Sequence, residues 1–171
     1  MSPRMKAAAI DSFGPPESLR MHDLPRPDTE ADRVLVRVVN AGVQVTDAAI
    51  RAGWTPPGAT IAFPQILGNE FAGTVEAVGP AVRGFSVGDA VLGFNTLGCY
   101  AEYVSVPASQ IVHKPEPVGW QAAGALSASG QTAHTVLEEL SVSAGETVVV
   151  HGAAGGVGSM FTQLAGSPAP E

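Results

Sequence analysis

A glycine-rich loop lies near the end of the chain and reads Gly152-Ala153-Ala154-Gly155-Gly156-Val157-Gly158. It follows the β-branched run Thr147 to His151 and precedes Ser159 to Ala165, which has helical composition. Glycines let a backbone approach a pyrophosphate closely, and the start of a helix offers the anion unpaired N–H groups and a positive dipole end. Closely spaced glycines arise easily in a chain with 20 of them, so a plain turn is the alternative. The position between a strand and a helix favours a phosphate-binding loop.

A second polar cluster, Gln44, Thr46 and Asp47, lies between a predicted strand and a short predicted helix. These side chains can line a cleft and form hydrogen bonds with a carbonyl group. Asp47 or Thr46 can instead cap the helix that begins there. Both interpretations stay open for Thr46 and Asp47, and we favour the cleft for Gln44.

The histidines and the cysteine favour structural roles. His22, His113, His134 and His151 are scattered along the chain without the spacing of a metal site. Cys99 is the single cysteine, so the chain has no internal disulfide and no zinc site built on several thiolates. With no cationic neighbour in the sequence, Cys99 is interpreted as an inert thiol.

Composition excludes several functional classes. Hydrophobic residues make up 45% of the 171 positions and charged residues 15%, which indicates a globular core. A net charge of −7 argues against a nucleic-acid partner. We expect neither a signal peptide nor a membrane span, because the first apolar stretch, Ala7 to Ile10, is too short. A reducing, cytoplasmic compartment is the expected setting.

The elements that must position these residues change type along the chain. Frequent glycine and proline residues separate short segments that are predicted as strands. These are Met5 to Ile10, Val34 to Val39, Phe71 to Val78, Ala90 to Phe94 and Tyr100 to Val106. A short helix is predicted at Thr46 to Arg51, and longer helical patterns follow at Trp120 to Leu126 and Ser129 to Leu140.

The run Thr147 to His151 is predicted to be a buried strand that opens a dinucleotide-binding unit. Fewer residues follow it than the roughly 30 of a single βαβ unit. We therefore expect this second domain to be incomplete. Its apolar strand is expected to be covered by self-association, by packing against the first domain or by a complementing chain.

Four segments together resemble the quinone oxidoreductase branch of the medium-chain dehydrogenase/reductases. They are Ala41 to Gly53, Gly68 to Val91, Gly98 to Pro107 and Val148 to Ala165, in this order. The resemblance implies a mostly β fold with α: a GroES-like β-barrel catalytic domain over residues 1–124, followed by an incomplete start of a Rossmann α/β domain over residues 125–171.

The resemblance also bears on metal and cofactor. Zinc-dependent members place a thiolate where this chain has Gln44, a histidine where it has Asn69, and a second cysteine near Ser127 to Ser129. None of these ligands is present, so we expect no zinc. In zinc-free relatives, NADPH reduces a quinone or an activated carbon–carbon double bond.

Site residues follow from the same resemblance. Gln44 and Asp47 are assigned to catalysis, Gln44 as a donor to the substrate carbonyl or the nicotinamide amide. Trp54 and Asn69 are assigned to the substrate, and Thr132 to the nicotinamide. The pyrophosphate is assigned to Gly152, Ala154, Gly155, Gly156, Val157 and Gly158.

The expected function is therefore that of an NADPH-dependent quinone or enone oxidoreductase, present as an N-terminal half. By itself this half is expected to be weakly active or inactive, and its expected substrate is a small apolar carbonyl compound or quinone. The alternative is a cofactor-independent protein, a small-molecule binder or a lyase or cyclase, that has lost the redox half.

Overall fold

The computed structural model describes residues 3–167, which form two compact units. The first unit ends at Ala125 and the second begins at Leu126. Residues 168–171, which belong to the second expected domain, lie outside the described residues.

The first unit is built from two antiparallel sheets. The three-stranded sheet has the order β2-β1-β4 and the five-stranded sheet has the order β7-β3-β5-β6-β8. The strands are β1 Arg4–Ile10, β2 Leu19–Pro25, β3 Arg33–Ala41, β4 Gln65–Ile66, β5 Glu70–Val78, β6 Ala90–Phe94, β7 Tyr103–Pro107 and β8 Ile111–His113.

The core of the larger sheet consists of β-branched and aromatic residues that fit a pleated surface. Val34 and Val36 on β3, Phe71 and Val75 on β5, and Val91 on β6 belong to one buried cluster. The pairing of β3 with β5 shifts register twice, between residues 35 and 36 and between residues 38 and 40. This end of β3 leads directly into the polar cluster around residue 44.

The described part of the first unit contains two α-helices, α1 Val45–Arg51 and α2 Trp120–Gly124, and two 3-10 turns, Pro16–Ser18 and Ala108–Gln110. Ile50 of α1 packs with Ile10 and Leu67 in a second buried cluster, which fixes this short helix against the smaller sheet. The second unit contains α3 Ser127–Glu139 and α4 Gly156–Gly166. No helix within residues 3–167 is long and apolar enough to cross a membrane.

The mixed, strand-rich architecture predicted from the sequence is confirmed, and three strands were missed. These are β2, β4 and β8. β2 is an edge strand whose residues Arg20, His22 and Asp23 interrupt any apolar run, so hydrophobic patterning does not reveal it.

The predicted strand at Thr147 to His151 is wrong. These residues pair with no strand in the part of the chain that the structure describes, and Val149 is 78% exposed. β-branched residues favour an extended backbone, but a strand also requires a hydrogen-bonded neighbour. That self-association, the first domain or a complementing chain covers this segment stays a prediction.

Candidate functional site

Gln44 and Asp47 hold each other at the start of α1. The Gln44 backbone N–H donates to Asp47 Oδ2 at 2.8 Å, and the Asp47 backbone N–H donates to the Gln44 backbone carbonyl oxygen at 3.0 Å. This is a capping-box arrangement, with Gln44 at the N-cap. Asp47 is 4% exposed, whereas Thr46 is exposed. The carboxylate of Asp47 therefore stabilises the helix start, as the capping interpretation predicted.

Tyr100 is the second partner of Asp47. Its hydroxyl donates to Asp47 Oδ2 at 2.7 Å across 53 residues of sequence. The ring lies against Gly68, where an added Cβ would overlap it, and Gly68 has a φ of 88°. Position 68 therefore needs glycine for both its space and its backbone conformation.

Burial raises the pKa of Tyr100 well above its ordinary value, and the hydrogen bond to Asp47 adds to the effect. Burial, together with the negative charge of Asp47, also raises the pKa of the Cys99 thiol. Both groups stay protonated at neutral pH. The structure thus places Cys99 as an unreactive thiol.

Glu70 lies at the centre of the site and has no solvent exposure. Gln44 Nε2 donates to Glu70 Oε1. An added Cβ at Gly42 would overlap the Glu70 carboxylate and lie 2.7 Å from its Cγ. The chain therefore leaves space at residue 42 for a buried acidic side chain that reaches Gln44.

Two buried acceptors of the site have no hydrogen-bond partner within residues 3–167. They are Asp47 Oδ1 and Asn69 Oδ1, on side chains that are 4% and 8% exposed. Unpaired buried oxygens are costly, so they favour a bound donor such as water or a ligand group.

Gln44 and Asn69, which stand at expected zinc-ligand positions, are not of the residue types that usually bind zinc. Zinc prefers thiolate, imidazole and carboxylate ligands. Gln44 and Asn69 offer only amides, and the raised pKa of Cys99 disfavours its thiolate. Among the described residues no group of three or more His, Cys, Asp or Glu side chains is arranged to hold a metal ion.

Glu70 and Tyr100 were not among the site residues predicted from the sequence. Glu70 carried a signal, since it is a charged residue directly before the apolar segment Phe71 to Gly73. A charge in such a place is either solvated at a strand end or buried with a partner. Nothing in the sequence links Tyr100 to Asp47. Trp54, three residues beyond the end of α1, is 48% exposed.

The glycine loop in the second unit precedes α4, which has Gly155 as its N-cap and no side-chain cap. The Gly155 N–H donates to the Gly152 carbonyl oxygen at 2.9 Å, and Gly152 has a φ of 75°. An added Cβ at Gly158 would overlap that same carbonyl and lie 2.9 Å from Ala153 Cα. The loop folds tightly back on the helix start, and the first-turn N–H groups have no side-chain cap.

A cleft of about 390 Å³ borders this loop within the second unit. Its lining includes Val148, Val149, Val157 and Phe161. The cleft could hold the diphosphate group of a nucleotide, because it combines a tight glycine turn, an uncapped helix start and an apolar wall. Thr132 is exposed on α3, and its hydroxyl donates to the Ala128 carbonyl at 2.7 Å.

The raised pKa values predict a loss of stability at alkaline pH. Unfolded Cys and Tyr release their protons near about pH 8.5 and about pH 10. The folded state retains both protons. The contribution of these two groups to the free energy of unfolding is therefore fully present below these pH values and falls as pH rises above them. Urea unfolding measured from about pH 8 to about pH 11 should show this decline.

Tyr100→Phe should flatten the decline above about pH 10, because the titrating hydroxyl is removed. Tyr103→Phe is the matched control, since it removes the hydroxyl of the other of the two tyrosines. An equal slope in Tyr100→Phe and in the unmodified chain would contradict the assignment.

Comparison with known proteins gives consistent matches along the chain. Residues 30–116, about half of the chain, match the alcohol dehydrogenase GroES-like domain. A probable quinone oxidoreductase of Schizosaccharomyces pombe is 35% identical over 91% of this chain and 46% of its own length. An NAD-dependent alcohol dehydrogenase of Sulfurisphaera tokodaii is 31% identical over 94% of this chain and 55% of its own.

Among solved structures, the Escherichia coli quinone oxidoreductase complexed with NADPH superposes with a TM-score of 0.83 at 28% identity. The match covers 94% of this chain and 49% of that protein. The chain thus spans about half the length of the curated relatives it matches.

Proposed function

The chain belongs to the medium-chain dehydrogenase/reductase family through its alcohol dehydrogenase GroES-like domain, and on this premise we propose that it serves an NADPH-dependent reduction of a quinone or activated alkene. In this proposal residues 1–124 form the catalytic domain and residues 125–171 begin the nucleotide-binding domain. The division between compact units after Ala125 supports that boundary.

The observation that carries the proposal is the glycine loop before α4. The Gly152 carbonyl lies where a side chain at Gly158 would be, so the loop packs tightly against the helix start. Residues 152–157 are exposed. The N–H groups of Gly156, Val157 and Gly158 would hold the pyrophosphate, with Gly155 and Ala154 completing the turn. NADPH supplies a hydride when bound.

The first unit would supply the substrate side. Asp47 orients the Gln44 backbone through its hydrogen bond, and Asn69 offers an unpaired oxygen to a ligand donor. Trp54 provides a half-exposed aromatic surface for an apolar substrate. Thr132 of the second unit is proposed to lie near the nicotinamide.

The reaction is proposed to be independent of zinc. The donor atoms at Gln44 and Asn69 are amides, which zinc binds poorly. Stabilisation of a developing oxyanion would then rest on hydrogen-bond donors of the protein and on solvent.

The purified chain is expected to bind NADPH weakly in titration calorimetry, through the pyrophosphate loop, with an affinity that dialysis against a metal chelator leaves unchanged. The physical reason is that backbone N–H groups of a single loop would contact the pyrophosphate, so that the proposed site needs no metal. Consumption of NADPH with a naphthoquinone as acceptor then tests the reaction. A chain that binds small apolar ligands and ignores NADPH would instead support the cofactor-independent alternative.

A further inference from the structure

We propose that Glu70 is a positioning residue that fixes the orientation of the Gln44 side-chain amide, so that a ligand at residue 44 meets the amide oxygen. Residue 44 would then recognise a hydrogen-bond donor of the ligand, an N–H or O–H group, through its amide oxygen. The statement that a ligand reaches residue 44 rests on the proposed function.

The first argument is the chemistry of the pair. A carboxylate accepts hydrogen bonds and does not donate them. Only the nitrogen of the Gln44 amide can therefore face Glu70 Oε1, as observed. The two amide substituents diverge from one carbon, so the oxygen is directed away from the carboxylate.

The second argument is burial. Glu70 is completely buried, whereas Gln44 is partly exposed. The nitrogen faces the buried carboxylate, so we infer that the oxygen is directed toward the exposed side of the residue. An amide oxygen has two lone pairs, so it can accept a hydrogen bond from a ligand.

The third argument is that the pair is built into the fold. Gly42 leaves the space that the Glu70 side chain fills, and the Gly42 N–H donates to the Glu70 backbone carbonyl at 3.3 Å. Asp47 fixes the Gln44 backbone at the same time. The backbone and the side-chain amide of Gln44 are thus both held by hydrogen bonds, which opposes rotation of the amide.

Side-chain amide exchange in the isotope-labelled full chain tests the orientation directly. The Gln44 N–H2 group should exchange with solvent about tenfold or more slowly than that of the exposed Gln121, because its hydrogen bond to a buried carboxylate must first open. Glu70→Gln should abolish this protection, since the amide that it places at residue 70 can donate to the oxygen of Gln44. The N–H2 group of Gln65, which bonds the Ile66 carbonyl, is the internal control.

Matched ligand pairs test recognition. Phenol is compared with anisole, and nicotinamide with N,N-dimethylnicotinamide, so that each pair differs by its donor group. The unmodified chain should prefer the donor member by about two- to tenfold, the value of one hydrogen bond. If phenol is preferred to anisole, the donor recognised at residue 44 belongs to a reduced substrate. If nicotinamide is preferred to its dimethyl derivative, the donor belongs to the cofactor.

Glu70→Gln should lose the preference, and the double variant Gln44→Glu with Glu70→Gln should regain it, because the carboxylate that it places at residue 44 offers only acceptors to the ligand. Rapid exchange at Gln44 or equal affinity for both members of each pair in the unmodified chain overturns the proposal, even if Glu70→Gln does not fold. Failure to bind NADPH would refute the proposed function instead, so the two failures are distinguishable.

Discussion

Phe71→Ala is expected to lower the free energy of unfolding by about 3–5 kcal/mol, the usual cost of truncating a buried aromatic side chain. Phe71 has no solvent exposure and belongs to the core cluster between β3, β5 and β6. Its ring lies 3.1 Å from the position that a Cβ on Gly93 would take, so it is tightly enclosed. Urea unfolding monitored by circular dichroism measures the loss.

Phe13→Ala is the matched control for this prediction. Phe13 is 41% exposed and makes an edge-to-face contact with Phe63 at 5.2 Å between ring centroids. Its truncation should cost about 0.5–1.5 kcal/mol, the value of one aromatic pair. If the two variants are destabilised equally, Phe71 is not part of a tightly packed core.

Gly158→Ala is expected to weaken NADPH binding by about ten- to a hundredfold. The new methyl group would overlap the Gly152 carbonyl and lie 2.8 Å from its carbon. Because these atoms are backbone, the loop itself must shift, at the cost of about 1–3 kcal/mol that overpacking usually carries. Titration calorimetry with NADPH measures the effect.

Gly166→Ala provides the control at the other end of α4. No atom lies within 4 Å of an added Cβ at this position, and alanine favours a helix more than glycine does. This variant should bind NADPH as the unmodified chain does. If Gly158→Ala also binds normally, the loop does not hold the pyrophosphate.

Local patterns in the sequence determined much of the fold. The β-branched runs that became β3, β5 and β6 and the helical patterns that became α1, α3 and α4 were located within a few residues. The glycine loop was likewise placed at a helix start. These features depend on residues that are close in sequence, where side-chain periodicity and turn chemistry act directly.

Only the tertiary structure decided how the candidate site is organised. Gln44 meets Glu70 across 26 residues, and Tyr100 meets Asp47 across 53. The need for glycine at Gly42 arises from the carboxylate of Glu70 on β5, not from its own neighbours in sequence. Likewise, the β-branched run at Thr147 to His151 has β propensity in its sequence but forms no strand. Backbone propensity is local, whereas hydrogen-bond partners and burial depend on which segments the fold brings together.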